Sequence, residues 1–521
     1  MEIRETILPA VGGFSSFRLS DLRMVRQSGR GLRIRGQGRD DEGARADFDL
    51  TVSLSELRAD GSLDVEKLRL GSLAAFLPWI PFHEPEKGLL DITLILKADS
   101  LDEIVYEADL DLHHVGFYSP RIAADPIVDM AFGVTASGRF HRQGRALEIE
   151  SAELRLEKAK LLLEGELRIG PESVGVDLKA NLPSTPCEDA VHALPKAVLG
   201  SASAFHFRGM ISGEFALRFD WEALDDLDLK LRFRHECRFV DWPRHADPSR
   251  FMRIFVHEAL SPDGEPFDFE TGPMTEVWSP LEALSPYLIP AFLAHEDAGF
   301  FRHPGFSVFA IRESLIRNLS RGRFERGAST ISMQLAKNLF LNREKVLVRK
   351  LREVIYTWWL ESAFGKEQIL ELYVNVVELG PYLYGVRSAS LHYFGREPAE
   401  LSPAEAAFLA ISLPAPRRAG EQYEKGALSR SSRSRIANLL RNMKRRNLIS
   451  EEAADYGIEE LDGFRFYRRG DPLPPERHLP ETPALFDFQR SGAIESNPTE
   501  GEDPRDGTLP VVEVADPWGF P

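Results

Sequence analysis

The 521-residue sequence is too long for one small binding module, and at about 150 residues per domain it predicts several domains. Hydrophobic residues make up 43% and charged residues 28%, with 39 Gly and 34 Pro, which excludes wholesale disorder and a collagen-like repeat. The net charge of −17 argues against a protein that coats nucleic acid, so no nucleic-acid partner is predicted. Residues 281–420 carry 17 basic against 14 acidic residues, and an anionic ligand is expected there.

Targeting signals are absent from the chain as given. No stretch reaches the roughly 18 to 20 apolar residues of a membrane span, and the best candidate, which begins at Leu70, contains Pro78 and Pro81. The first 20 residues have no uninterrupted apolar core of the kind that a signal peptide needs. Two cysteines, Cys187 and Cys237, allow either one disulfide or two free thiols.

Residues 1–265 are predicted to form a β-rich region. Apolar and polar residues alternate through long runs such as LEIESAELRLEKAKLLLEGELRI, which predicts strands with one buried and one wet face. The repeated amphipathic strands resemble the elongated β-sheet repeats of AsmA-like envelope proteins. Residues 187–200 break the pattern and predict a short helix on the sheet.

Residues 270–455 change to helical spacing, because apolar residues there recur at three and four positions. A capping box with proline at the first helical position, Ser402-Pro403-Ala404-Glu405, begins one of the helices. A Pro-, Gly- and acid-rich tail, residues 456–521, is predicted to be largely disordered. The helices are expected near 307–320, 329–340, 346–364, 366–375, 403–412 and from Ser432.

Five motifs in the helical half occur in a specific order: AHEDAGFFRHPGF, RGASTISMQLAKNLFL, RKLRE, KEQILELYVN and YFGREPAELSPAEAAFLA. Together they resemble the family 51 glycosyltransferases, and most closely the monofunctional biosynthetic transglycosylases that polymerise lipid II into peptidoglycan. The resemblance covers residues 278–416. It implies an α+β multidomain protein in which an all-α, lysozyme-like glycosyltransferase domain follows the β-rich region.

The first motif supplies the expected base. By resemblance, Glu296 removes the proton from the incoming sugar hydroxyl, a role that a positioned carboxylate can perform. A helix-cap or surface carboxylate is the structural alternative. Asp297 and His303 are expected to orient the loop around the substrate rather than to react.

The second motif is expected to bind the pyrophosphate of the donor. A helix N-terminus favours an anion, and Lys337 lies on the same predicted face as that end. The family usually has two glutamines where this chain has Met333 before Gln334, so one substrate hydrogen bond is expected to be lost. The predicted substrate-binding residues of this motif are Ser329, Thr330, Gln334, Lys337 and Asn338.

The third motif adds a second acidic residue and two cations. By resemblance, Glu353 supports the leaving group through a hydrogen-bond network or a divalent cation, Mg²⁺ or Mn²⁺, while Arg349 and Lys350 bind phosphate. An ordinary surface ion pair has the same helical spacing. Of the fourth motif, Glu371, Tyr373 and Asn375 either brace the floor of the cleft or define the fold.

Two other functions remain open at this point. One is a muramidase-like hydrolase, since a glutamate in a helical domain also cleaves glycans. The other is an inactive envelope scaffold or lipid-binding protein, in which Met333 would be a first sign that catalytic activity has been lost. The printed sequence has no S-x-x-K motif, so transpeptidase activity is not expected.

The implied partners are lipid II, the lipid-linked glycan strand and a membrane surface, with cell-wall synthesis proteins expected on the β-rich region. A flap at 321–327 and the preceding helix are expected to touch the lipid, and the alternative for that helix is packing wholly in its own core. The resemblance implies the cell envelope, at the outer face of the cytoplasmic membrane. We therefore expect an upstream segment, or a partner, to anchor the chain.

Overall fold

A computed structural model describes residues 2–8, 17–26, 31–53, 57–74, 77–78, 80–98, 100, 102–170, 174–261, 263–321, 327–341 and 347–481. The tip of the expected flap, residues 322–326, lies outside these ranges. Within the described ranges, no helix is both long enough and apolar enough to span a membrane.

The N-terminal half forms one antiparallel sheet of thirteen strands in sequential order. Neighbouring strands lie about 4.8 Å apart, so the sheet extends roughly 58 Å across its strands, as expected for an elongated β-rich region. Its strands are β1 (Glu2–Leu8), β2 (Phe17–Arg26), β3 (Gly31–Asp40), β4 (Arg45–Ser53), β5 (Arg58–Arg69), β6 (Leu89–Ala98), β7 (Glu103–Phe117), β8 (Ile127–His141), β9 (Ala146–Leu156), β10 (Ala159–Ile169), β11 (Val174–Pro186), β13 (Met210–Asp220) and β14 (Asp228–His235).

The predicted alternation gives this sheet two unlike sides. On the charged face, Arg155 Nη2 donates to Asp109 Oδ1 and Asp111 Oδ1, each at 2.9 Å, and Lys179 Nζ donates to Glu164 Oε1 at 2.9 Å. The other side, here called the apolar face, has hydrocarbon side chains in register from β4 to β14. Its central row is Phe48, Leu63, Leu94, Ala108, Ala136, Ala152, Leu163, Ala180, Phe215 and Leu231.

Short helices and strands lie beside the sheet. Helix α1 (Leu70–Ala74) contacts β5. In place of the single helix predicted at 187–200, the chain forms two short helices, α2 (Cys187–His192) and α3 (Lys196–Leu199). Strands β12 (His206–Arg208) and β15 (Arg238–Asp241) pair with each other. Cys187 and Cys237 form a disulfide, so the chain has no free thiol.

The predicted boundary between the two halves lies at residues 265–270. A hairpin of β16 (Phe255–Leu260) and β17 (Pro266–Thr271) crosses it, and Tyr384 Oη donates to the Leu260 carbonyl at 2.9 Å. The hairpin therefore packs on the helical part. Because its strands alternate like those of the large sheet, composition alone does not separate them.

The helical half contains the predicted helices within one or two residues of their expected ends. Ser402 Oγ accepts from the Glu405 amide at 3.2 Å, and Glu405 Oε2 accepts from the Ser402 amide at 2.9 Å, which confirms the capping box. A two-strand ladder, β18 (Glu378–Gly380) with β19 (Leu383–Tyr384), is the exception to the all-α prediction. The helices are α4 (Leu288–Glu296), α5 (Val308–Arg321), α6 (Ile331–Phe340), α7 (Leu347–Ala363), α8 (Lys366–Val376), α9 (Val386–Phe394), α10 (Pro403–Ser412), α11 (Pro416–Lys425), α12 (Arg430–Arg445) and α13 (Glu451–Glu460).

Part of the predicted disordered tail is folded. Residues 451–460 form α13, and the side chains of Phe464 and Phe466 are buried in the main core. Further along, Arg477 pairs with Glu405, and its Nη1 donates to Glu460 Oε1 at 2.8 Å. Order therefore continues to residue 481, and residues 482–521 lie outside the described ranges.

One hydrophobic core joins the two halves, running from Cys187 to Phe466. Helix α7 lies at the junction. Tyr356 Oη makes hydrogen bonds with Ser201 Oγ at 2.8 Å and His245 Nε2 at 2.7 Å, while Arg352 Nε donates to the Val198 carbonyl at 2.9 Å. The β-rich region is therefore fixed to the helix that carries the third motif.

Candidate active site

Glu296 is the last residue of α4, and α6 and α8 hold its side chain. Gln334 Nε2 donates to Glu296 Oε2 at 2.6 Å, and Tyr373 Oη donates to Gln334 Oε1 at 2.9 Å. The Glu296 side chain is 14% exposed, so it is largely packed yet still reached by solvent. The carboxylate is thus held at one edge of the packed helices.

Burial sets the direction of the Tyr373 hydrogen bond. Complete burial, reinforced by the charges of Glu296 and Asp297, raises the pKa of Tyr373 well above 10. The phenol therefore remains protonated at neutral pH and donates to the carbonyl oxygen of Gln334. The amide group of Gln334 is left pointing at Glu296.

Two residues that the sequence interpretation missed complete this arrangement. His295 Nδ1 lies 2.6 Å from Glu296 Oε1, and Arg435 Nη2 from α12 lies 3.5 Å from His295 Nε2. A guanidinium only donates, so His295 accepts at Nε2 and donates from Nδ1. Both oxygens of Glu296 then accept hydrogen bonds, as those of an ionised carboxylate do. His295 adjoins the base in the sequence, but nothing there connects Arg435 to it.

Asp297 and His303 support the start of α6. His303 Nε2 lies 2.9 Å from Asp297 Oδ1, and the Ile331 amide donates to Asp297 Oδ2 at 3.1 Å. The carboxylate therefore occupies the positive end of the helix. Nδ1 of His303 is buried and has no hydrogen-bond partner among the described residues. This geometry agrees with the expected orienting role.

Thr330 caps the same helix. Its Oγ1 accepts from the Met333 amide at 3.2 Å and donates to the Gly305 carbonyl at 2.6 Å, which ties the cap to the loop of the first motif. The Met333 side chain is buried. The substitution that distinguishes this chain from the usual family pattern therefore lies inside the helix packing, whereas Gln334 keeps its contact with Glu296.

A cationic group lies beside this cap. Lys350 Nζ donates to Ser329 Oγ at 2.8 Å and to Glu353 Oε1 at 2.5 Å, and Glu353 is 2% exposed. Thr330 and Gln334 are about 6 Å apart along the helix axis, at 1.5 Å per residue. The first two turns of α6 therefore connect the base to the Lys350–Glu353 pair.

The other predicted phosphate ligands have less defined surroundings. Lys337 and Asn338 lie on α6, one turn beyond Gln334, with half-buried side chains. Nε of Arg349 is buried and lacks a hydrogen-bond partner in the described part of the chain. A buried guanidinium nitrogen without a protein partner is a suitable donor for an anionic ligand.

Glu371 and Asn375 have structural contacts. Trp278 Nε1 donates to Glu371 Oε1 at 3.1 Å, and the Ser279 amide donates to Asn375 Oδ1 at 2.8 Å. These bonds fix the segment before α4 against α8. Of the two alternatives, these contacts are those of fold-defining residues, and the cleft-floor role stays a prediction. Of the three residues, Tyr373 reaches the Glu296 network through Gln334.

A second buried network lies under the loop of the first motif and was not predicted. Lys366 Nζ donates to Glu361 Oε1 at 2.8 Å and to the His303 carbonyl at 2.7 Å, and it lies 4.4 Å from the centre of the Phe300 ring. Burial lowers the pKa of Lys366, although Glu361 opposes the effect. Lys366 and Glu361 occupy adjacent helix ends, and no local sequence pattern connects them to this loop.

A resident divalent cation at Glu353 does not fit the donors in place. The Glu353 carboxylate already accepts a hydrogen bond from Lys350. The described residues contain no group of three His, Cys, Asp or Glu side chains that could hold a metal ion. Mg²⁺ prefers six oxygen ligands in a near-octahedral arrangement. The expected dependence on Mg²⁺ or Mn²⁺ therefore stays a prediction, and no step proposed below uses a metal.

Comparison with known proteins identifies the family. The family model described as transglycosylase matches residues 265–444, which include all the residues above. A biosynthetic peptidoglycan transglycosylase of Nitrosospira multiformis is 44% identical over 156 residues, which cover 30% of this chain and 68% of that relative. The chain belongs to the transglycosylase family.

Other relatives agree. Proteins with the same name from Cupriavidus metallidurans and Acinetobacter baumannii are 43% and 41% identical, over 29% and 34% of this chain and 65% and 75% of their own lengths. The predicted family and the monofunctional peptidoglycan glycosyltransferase activity are therefore confirmed. The large sheet lies outside the matched residues, and the lysozyme-like fold and the AsmA-like resemblance stay predictions.

Proposed function

We propose that the helical domain polymerises lipid II into glycan strands by inverting transfer, with release of undecaprenyl pyrophosphate. The observation that carries the proposal is the pair of hydrogen bonds that His295 and Gln334 make to the two oxygens of Glu296. A general base must be held in one orientation to reach the proton that it removes.

In the proposed reaction, Glu296 takes the proton of the acceptor sugar hydroxyl as that oxygen attacks the anomeric carbon of the donor. The bond from that carbon to the pyrophosphate oxygen breaks, and the pyrophosphate leaves with the electron pair. Lys350, which contacts Ser329 just before α6, would stabilise the growing negative charge, together with Lys337 and Arg349.

Glu353 would act through Lys350. Its carboxylate is buried and contacts the ammonium group, so it fixes the position of the cation. This arrangement supports the second acidic role without a metal. A hydrolase would have no use for a pyrophosphate site, which makes the muramidase-like alternative less suitable.

The proposed location is the outer face of the cytoplasmic membrane. The activity places the protein in the cell envelope, and a disulfide such as Cys187–Cys237 is typical of an oxidising compartment. We also propose that the β-rich region binds other proteins of cell-wall synthesis.

The direct test is to incubate the purified full chain with labelled lipid II and separate the products by size. Glycan polymer that grows with time supports the proposal. Cleaved disaccharides from preformed glycan would support a hydrolase instead, and unchanged lipid II under conditions where a related transglycosylase is active would support an inactive scaffold.

A further inference from the structure

The apolar face of the large sheet lies outside the residues that match the family. The rows on either side of its central row are also apolar, as in the register series Leu110, Val134, Leu154 and the series Ile149, Gly165, Leu178. The single polar atom in these rows, Tyr106 Oη, donates to the Glu148 carbonyl. The three rows together are free of charge over ten strands.

The apolar face is large compared with the exposed apolar patches of most soluble proteins. Nine strand spacings extend about 43 Å, and three rows extend about 14 Å, which gives roughly 600 Å², at the upper end of ordinary surface patches. Leu96 is 37% exposed and Phe233 is 48% exposed. The ion pairs of these strands lie on the opposite face. The two faces therefore differ because charged and apolar residues alternate along each strand, and not because the sheet has few charged residues.

Described elements cover only the margins of this face. Helix α1 contacts β5, α3 contacts β8, α2 contacts β11 and β13, and α5 contacts β14. Buried clusters occur at one end of the strands, around Leu68, Leu90 and Val115. In the central row, Leu63 packs against the cluster around Leu68, whereas Leu94, Ala136 and Leu163 belong to no buried cluster of the described chain.

The sheet is continuous with the catalytic half at its last strand. Arg312 of α5 donates from Nε to the Leu227 carbonyl, just before β14, at 2.9 Å. Helix α5 follows the loop that contains Asp297 and His303, and its first turn exposes Phe309 by 67%. Helix α5 therefore connects the last strand of the sheet to the segment beside the candidate base.

We propose that the apolar face binds the polyprenyl chain of the lipid-linked substrate while its pyrophosphate occupies the site between α6 and α7. This inference rests on the proposed function, because it takes the substrate from it. An uncharged surface suits hydrocarbon. One leaflet of a bilayer core is about 15 Å thick, so a phospholipid acyl chain would cover about a third of the central row, whereas a long polyprenyl chain can follow most of it.

Photocrosslinking in the full chain tests this directly. A photoreactive amino acid replaces Leu163 on the apolar face. As a matched control it replaces Leu162, the preceding residue of β10, which lies on the charged face and is 40% exposed. The probe is a radiolabelled long-chain polyprenyl diphosphate, which needs no turnover.

We expect labelling at position 163, at least tenfold weaker labelling at 162, and competition by unlabelled polyprenyl diphosphate but not by phosphatidylglycerol vesicles. Equal labelling at both positions, or displacement by the vesicles, would overturn the proposal. So would crosslinks from position 163 to a second copy of the chain or to residues 482–521.

A second pair of variants keeps the test independent of the probe. Ala136→Asp places a carboxylate on the central row, and Ser137→Asp places one on the charged face of the same strand. We expect Ala136→Asp to raise the KM for long-chain substrate at least tenfold and to leave short-chain substrate unchanged, with Ser137→Asp within twofold of the parent.

The two proposals fail in different ways. Labelling at position 163 without any polymer would contradict the proposed function and leave the lipid-binding surface standing. Normal polymerisation with equal KM values for Ala136→Asp and Ser137→Asp would contradict the lipid-binding surface alone.

Discussion

Glu296 is oriented by side chains from three separate parts of the chain. The motif around it predicts the role of a base, which stays a prediction, and the helical spacing placed Gln334 on a suitable face. The contribution of Tyr373 was not predictable, because it depends on how α6 packs against α8. Arg435 was missed for the same reason, since long-range packing leaves no local pattern.

Tyr373→Phe should lower kcat by roughly 3- to 10-fold with little change in KM, because losing one hydrogen bond of about 0.5 to 1.5 kcal/mol frees the amide of Gln334 to rotate. Steady-state polymerisation rates measure the effect. Tyr393→Phe is the control, since Tyr393 is also buried but its hydroxyl bonds to the Leu379 carbonyl. Equal kcat values for the two variants would contradict the positioning role.

Lys337→Ala and Arg349→Ala should each weaken binding of lipid-linked substrate and of moenomycin, the phosphoglycolipid inhibitor of the family. Each variant removes a charge-assisted contact of about 1.5 to 3 kcal/mol, or roughly 10- to 150-fold in Kd. Binding by isothermal calorimetry checks this. Lys444→Ala, which removes an exposed cation paired with Glu451, should leave the affinity unchanged. Parent-like affinity in both test variants would refute a phosphate role.

Helix α7 shows what an element-level pattern leaves undetermined. The spacing of apolar residues predicted the helix almost to its ends, but not that Lys350 and Glu353 serve the site while Arg352 and Tyr356 bind the β-rich region. Both functions use polar residues, and periodicity does not distinguish them. The folded part of the tail is similar, because composition favoured disorder while Phe464, Phe466 and Arg477 find partners far away in sequence.

Cys187→Ser should destabilise the region between the sheet and α7. The disulfide closes a 50-residue separation, which corresponds to about 4 kcal/mol in the chain-entropy model. The variant should unfold at lower urea concentration than the parent without reductant, and dithiothreitol should lower the parent to the same midpoint. If parent and variant unfolded at the same urea concentration without reductant, the disulfide would contribute nothing to the stability of this region.

At the scale of the whole molecule, the hairpin at the junction introduces a pH-dependent weakness. His257 on β16 is 3% exposed and packs against the rings of Phe269 and Tyr384. Burial, with a smaller effect of Arg250, lowers the pKa of His257 to about 4. The folded chain therefore keeps this imidazole neutral at pH values where the unfolded chain binds a proton.

Keeping His257 neutral contributes to the free energy of unfolding in full above about pH 6.5. As the pH falls from 6.5 toward 4, the free energy of unfolding decreases by about 3 kcal/mol in total. His257→Gln should reduce the slope of unfolding free energy against pH in this window and leave the slope between pH 7 and 8 unchanged. Urea unfolding followed by tryptophan fluorescence measures both slopes. Identical slopes for parent and variant between pH 6.5 and 4 would contradict the assignment.

The alternating pattern predicted the sheet, and spaced motifs predicted the catalytic domain, yet neither indicated that one core joins them. That core uses residues from 187 to 255 that look like ordinary strand and loop sequence. This shared core spans the predicted boundary at residues 265–270. It also means that the β-rich region and the active site should be studied in the full chain.

The central claim is that Glu296 is the base, and Glu296→Gln tests it most directly. The amide keeps the size of the side chain but does not accept the proton, so polymerisation of labelled lipid II should fall at least about 100-fold while lipid II binding persists. Glu367→Gln, which neutralises an exposed carboxylate on α8, should retain full activity. Residual activity of Glu296→Gln within about tenfold of the parent would contradict the account.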